Sequence, residues 1–154
     1  MSEIDVAELR SIGGVCLSRA TRVTANLLTR TYNAYLAPAG IEVTQFSILC
    51  AIARGEARSA SDLAARVGVE RSTLARNLDR LVRVGLIRAE AGEGRRVLHQ
   101  LTEEGRARIV AALPLWRHAQ EALEAQVPAD RLANLRRDLG ALRQAARSVG
   151  AGQS

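Results

Sequence analysis

The sequence predicts a mainly α-helical chain with one small β-hairpin. Three observations carry this. Between Arg71 and Ile87, Leu74, Leu78, Leu81 and Val82 recur at helical spacing, with Arg76, Arg80 and Arg83 on the opposite side. From Ile87 to Leu101 the period drops to two, with Ile87, Ala89 and Ala91, then Val97, His99 and Leu101; Gly92-Glu93-Gly94 between them suits a tight loop. Near the C-terminus Leu132, Leu135, Leu139, Leu142 and Ala146 alternate steps of three and four, the period of a helix that packs on a partner helix.

The remaining elements follow in order. From Val15 to Leu36 the pattern is helical, and "APAG" at 37–40 ends it, because Pro38 and Gly40 break helices. Thr44 is the expected cap of a second helix through Ala53, with Phe46, Leu49, Cys50 and Ala53 inward. "RGEARS" reads as a loop. Ser59 caps a short helix from Ala60 to Val67, and Gly68 turns the chain into the arginine-faced helix. A short helix, a glycine turn and a second helix make a helix-turn-helix, and the hairpin after it makes a wing with Arg95 and Arg96 at its tip. Thr102 caps a long helix with Ile109, Leu113, Trp116, Leu123 and Val127 near one seam, Glu103 and Glu104 in its first turn, and an expected kink at Pro114. Pro128 and Asp130 start the last helix.

Composition narrows the function classes. Hydrophobic residues are 47% of the 154, enough for a core, but aromatics are only 3%. The formal net charge is +6, and every basic residue is arginine. Such a balance favours a polyanionic partner, nucleic acid before membrane. The acidic N-terminus has no apolar run of the secretory kind, and no stretch approaches the roughly 20 apolar residues of a membrane span. A cytoplasmic location is expected. Two cysteines without CxxC spacing and two distant histidines, His99 and His118, point to neither a disulfide framework nor a metal site. No phosphate-binding glycine loop or nucleophile elbow occurs, so no catalytic residue and no cofactor is assigned.

The strings "LAPAGIEVTQFSILCAIA", "SASDLAARVGVERSTLARNLDRLVRVGLI" and "LTEEGRARI" resemble the MarR family of bacterial winged-helix transcriptional regulators over about residues 12–148. In the wing, Glu93-Gly94-Arg95 stands where the family carries Asp-x-Arg, a departure that lengthens the arm beside Arg95. The resemblance implies one unit over 1–154, with a winged DNA-binding lobe at 41–102 and a helical dimerisation region at 1–40 and 103–148. It implies a homodimer on a pseudo-palindromic operator, acting as a repressor released by a small anionic aromatic effector.

Helix physics sharpens these expectations. An α-helix fits the major groove and arginine pairs bidentately with guanine, so Arg71, Ser72, Thr73, Arg76, Asn77 and Arg80 are the candidate DNA contacts, with Arg95 and Arg96 at the minor groove. Leu132, Leu135, Leu139 and Leu142 are the candidate dimer seam. The cleft that the resemblance implies for an effector draws on Tyr32, Phe46, Trp116 and His118, with Arg19, Arg22 or Arg117 to meet a carboxylate. Two rival readings remain. The family's peroxide sensors keep a cysteine in the first helix, but Cys16 lies two places before the matching Ser18, and Val43 replaces a second tyrosine after Tyr32. Two residues turn a helix by about 200°, so Cys16 would face nearly the other way. A winged-helix dimerisation domain of a methyltransferase would need an α/β cofactor domain that this chain is not expected to have.

Overall fold

The structure is a computed structural model and describes residues 6–55, 59–92 and 97–152. Among the described residues, seven helices and one hairpin run in the order α1 (Val6–Val15), α2 (Leu17–Leu36), a 3-10 turn (Ala37–Ala39), α3 (Val43–Arg54), α4 (Ala60–Val67), α5 (Arg71–Arg83), β1 (Ile87–Ala91), β2 (Val97–Leu101), α6 (Glu103–Glu124) and α7 (Ala129–Ala151). The fold is mainly helical with a two-stranded wing, as the sequence predicts. Contacts group the chain into two compact units, Met1–Trp116 and Arg117–Ser154, and the division falls inside α6.

In the first unit the core is aliphatic. Leu36, Ile48, Leu49, Leu74, Leu81 and Ile87 are essentially inaccessible, and Phe46, Leu63, Leu78, Leu86 and Leu101 are buried around them. Burying a side chain of this size contributes about 1.5–3 kcal/mol, so this set supplies the main drive to fold the lobe. α3 is its central helix, with Gln45, Phe46, Ile48, Leu49 and Ala51 all buried. The sequence reading placed a single inward stripe there and is corrected: Ala53 is exposed, while Ile48 and Ala51 are covered. A helix packed on several sides buries more than one stripe.

One cap also differs. α3 starts at Val43, not after Thr44: Glu42 and Gln45 form a reciprocal capping box. The Val43 N–H also donates to Asn33 Oδ1 on α2 (2.7 Å), which fixes the α2–α3 corner. From α6, Arg108 Nη1 donates to the Ala39 carbonyl (3.1 Å) of the same corner. The helix predicted from Val15 is α2, which starts at Leu17 because the chain breaks at Cys16; α1, before the break, is a helix that the sequence analysis does not contain. Ser59 caps α4 as expected, accepting the Asp62 N–H at 3.1 Å.

The second unit holds the end of α6 and all of α7. Glu124 accepts from Gln120 Nε2 (2.7 Å) and from Arg136 Nη2, so one carboxylate joins the two helices across the Pro128 turn. α6 is continuous through Pro114 and ends before Val127. α7 has no buried residue; Leu135 and Leu139 are 48% and 43% exposed. Among the described residues no single helix is long and apolar enough to cross a membrane.

Candidate nucleic-acid interface

The helix-turn-helix is built by local rules. α4 ends at Gly68, whose φ of 77° lies in the left-handed region that a side chain resists, and its N–H closes on the Ala64 carbonyl (2.8 Å). The chain re-enters a helix at Arg71. Leu74, Leu78 and Leu81 pin α5 to the core, so its opposite face must look outward. Val82, which the sequence placed on the inner face, is 39% exposed, because it lies at the edge of that stripe.

On the outer face Arg76, Asp79, Arg80, Arg83 and Val84 border an open recess of about 520 Å³. Arg71, Ser72, Arg76 and Arg80 are exposed, as base or phosphate contacts must be. Thr73 and Asn77 are half-buried and partly engaged: Asn77 Nδ2 donates to the Thr73 carbonyl (2.9 Å), and Arg76 Nη2 reaches Thr73 Oγ1 at 3.4 Å. Arg80 Nη1 leans 3.5 Å from Glu42 Oε1 across to the α3 cap. Both groups of that pair are more than half exposed, so it holds Arg80 only weakly and a phosphate can replace it. Asp79 and Glu42 were missed by the sequence reading; only the spacing of Asp79 from Arg76 and Arg83 hinted that it shares their face.

The wing pairs Ile87 with Leu101 and Ala91 with Val97 in antiparallel register. On its outer face Arg88 donates to Glu90 Oε1 (2.6 Å) and Gln100 Oε1 (2.8 Å), and Gln100 Nε2 donates to Glu90 Oε2 (2.6 Å). This ring of bonds links the strands. The predicted tip contacts, Arg95 and Arg96, and the Glu93-Gly94 loop lie outside the described residues. His99 is half-buried in β2; burial pulls its pKa below the ordinary value, with Asp79 opposing.

The residues expected to hold an effector are only partly brought together. Phe46 and Trp116 share a recess of about 360 Å³ between α3, α4 and α6, with Cys50 also in its wall. Its cations are Arg54 and Arg66, which the sequence reading did not single out. They come from two helices, and their meeting is visible only once α3 and α4 are packed. Tyr32, Arg19, Arg22 and His118 do not line this recess. Arg19 instead donates to the Gly13 carbonyl (3.0 Å) across the α1–α2 break. Cys16 caps α2, its sulfur accepting the Arg19 N–H at 3.5 Å. Burial raises the Cys50 pKa, with Arg54 opposing. Among the described residues no three His, Cys, Asp or Glu side chains cluster closely enough to hold a metal ion.

A short helix, a left-handed glycine turn, an arginine-faced helix and a stiffened wing form an arrangement shared with known regulators. The MarR family model matches residues 39–105, which span α3 to the start of α6. The transcriptional regulator MosR of M. tuberculosis is 41% identical over 88% of this chain and 98% of its own, with a TM-score of 0.79. MosR in complex with DNA matches at 42% identity over 86% and 97% of the two chains, with a TM-score of 0.78. A cysteine-to-serine mutant of E. coli MarR complexed with operator DNA is 26% identical over 90% and 99%, with a TM-score of 0.75. Among curated proteins none matches the sequence. The exposed arginine helix lies within the matched segment, and the similarity to MosR runs through the helices on both sides of it, so the chain belongs to the MarR family of DNA-binding transcriptional regulators.

Proposed function

We propose that the protein is a homodimeric, cytoplasmic repressor that binds a pseudo-palindromic operator and leaves it when a small aromatic anion binds. The observation that carries the reading is the division of its surface. The basic face of α5 is exposed and ringed by packed elements. Large apolar side chains lie open on α1 (Val6, Leu9, Ile12), α2 (Leu17, Val23, Leu27) and α7 (Leu135, Leu139). A chain that leaves such stripes uncovered associates through them. A two-fold dimer then presents two α5 helices to half-sites about 10 bp apart. The DNA complexes of MosR and MarR support operator binding.

On this reading residues 1–40 and 103–148 form the dimerising region, with Leu132, Leu135, Leu139 and Leu142 in its seam, and 41–102 the DNA-binding lobe. Arg71, Ser72, Thr73, Arg76, Asn77 and Arg80 read or flank the major groove, and Arg95 and Arg96 of the wing reach the minor groove. The effector reading is supported by the recess where Phe46 and Trp116 offer apolar walls and Arg54 and Arg66 supply positive charge. The test is calorimetric titration of a panel of small aromatic acids into the dimer, with and without DNA selected by the protein. Binding that is weakened about 5–150-fold by DNA supports release. No binding, or equal binding in both cases, removes the effector from the proposal.

A further inference from the structure

One hydroxyl spans the joint between α5 and α6. We propose that Thr102 is the positioning residue through which α6 sets the angle of α5 on DNA. The inference rests on α5 being the DNA-reading helix.

α5 closes its own end. Val84 N–H bonds the Arg80 carbonyl (3.0 Å), Gly85 N–H the Val82 carbonyl (3.0 Å) and Leu86 N–H the Leu81 carbonyl (2.9 Å), with Gly85 at φ 75°. This satisfies the helix but leaves the carbonyls of Gly85 and Leu86 for another partner. Thr102 takes both. Its hydroxyl donates to the Gly85 carbonyl (2.6 Å) and its N–H to the Leu86 carbonyl (3.2 Å). The same hydroxyl oxygen accepts the Gly105 N–H (3.0 Å), capping α6.

A cap alone does not require this chemistry, since Asp, Asn, Ser and Thr all cap well. Thr102 must accept from α6 and donate toward α5 at once. The fit is close on the other side too. A Cβ on Gly105 would sit 2.0 Å from the Leu86 oxygen, so the first turn of α6 lies directly on that peptide. Leu86, Ile87 and Leu101 beside the joint are buried. The Gly85 carbonyl itself is exposed, so water can take the place of the hydroxyl; the Thr102 bond contributes mainly by fixing the geometry of the joint.

The lever is long. α5 has 13 residues; at about 1.5 Å each it extends about 20 Å, so a tilt of about 5° at this joint displaces its far end by about 1.7 Å. That is enough to break hydrogen bonds to base edges, whose donor–acceptor distances span only about 0.5 Å. Attraction between arginines and phosphates tolerates the same shift. Thr102 therefore governs specificity rather than general affinity.

Thr102→Asp keeps the capping oxygens but replaces the donor by a carboxylate facing the Gly85 oxygen. Thr102→Val removes both functions at nearly constant shape, and Thr102→Ser keeps both. The readout is the affinity for a duplex selected by the wild-type protein from random DNA, divided by that for a random-sequence duplex of equal length. The ratio cancels the extra charge of the Asp variant. We expect Ser within about twofold of wild type and both Asp and Val lower by about tenfold, at a temperature where melting curves show all four folded. An unchanged ratio in the Asp variant, or a lost ratio in the Ser variant, overturns the proposal. So does equal loss on both duplexes. Should the wild type select no duplex, the operator reading itself fails. Hydrogen exchange of the free dimer then decides the joint. The Val84–Leu86 amides should exchange about tenfold faster in Thr102→Asp, and unchanged rates overturn the role.

Discussion

Gly105→Ala tests the close approach of α6 to the wing root by reversing a familiar sign. Inside a helix, alanine is ordinarily better than glycine by about 0.8–1.0 kcal/mol. At Gly105 the new Cβ would lie 2.0 Å from the Leu86 oxygen, 3.1 Å from the Leu86 carbon and 3.2 Å from Leu101 Cδ2. Two of those atoms are backbone, and they belong to the peptide that Thr102 already holds. They cannot rotate away, so α6 must shift. Overpacking of this kind costs about 1–3 kcal/mol. Relief by backbone movement also lengthens the Thr102 bonds, which puts the strain at the upper end. Subtracting the propensity gain leaves a net loss of about 1–2 kcal/mol, or about 2–8 °C in melting temperature for a chain of this size. Gly13→Ala is the control: it is also helical, and nothing lies within 4 Å of its Cβ. It should leave stability unchanged or raise it by up to about 1 kcal/mol. The assay is thermal and urea unfolding of both variants at one protein concentration. A Gly105→Ala protein as stable as wild type would refute the packing argument.

Other outcomes are expected with it. Arg76→Ala should cost about 1–3 kcal/mol on the best selected duplex and blur preference at one base pair per half-site; an unchanged gel shift means that α5 is not the reading helix. Leu135→Asp combined with Leu139→Asp should dissociate or unfold the protein, whereas light scattering of the wild type should give twice the 16.6 kDa of the chain; a stable wild-type monomer refutes the dimer. Because burial lowers the His99 pKa, the unfolded chain takes up a proton first as pH falls. Stability is therefore full above about pH 6.5, the unfolded value, and declines below it until the folded His99 also titrates. His99→Gln should flatten that slope in denaturant midpoints measured from about pH 7.5 to about pH 5; an equally steep slope in the variant assigns it elsewhere.

Most of the fold was legible because its signals are local and mutually consistent. Ser59 before an acidic first turn, Gly68 after Val67 and the change of period at Ile87 each mark a boundary by a mechanism that works within a few residues. The failures are as physical. α1 was missed because its short apolar pattern of Val6, Leu9 and Ile12 runs into two adjacent glycines, Gly13 and Gly14, which weaken a helix without excluding one. Thr44 outranks Glu42 as a cap by residue type, but Gln45 completes a box with Glu42, and Asn33 reaches the same turn from ten residues away. Propensity sees neither partner.

The candidate site divides along the same line. The outward face of α5 could be read from one helix, since its leucines fix the rotation and its arginines follow. The recess could not, because it is a property of three helices. Phe46 and Trp116 were reached only through the cleft that the family resemblance implies; Arg54 and Arg66 look like any helix-surface arginine until α3 and α4 pack. Nor does a charge of +6 say which arginines are available. Arg108 is committed to the Ala39 carbonyl and Glu104, Arg88 to the wing ring, and Arg136 to Glu124. Each commitment holds two elements together or stiffens one. Arg76 and Arg80 on α5 make bonds that bind only weakly or only within their own helix. Their side chains keep their positive charge facing solvent, where a phosphate or a base edge can take over those bonds with little desolvation of a settled pair. An arginine that staples the fold cannot also serve DNA, so the proposed reading surface needs arginines held as loosely as Arg76 and Arg80.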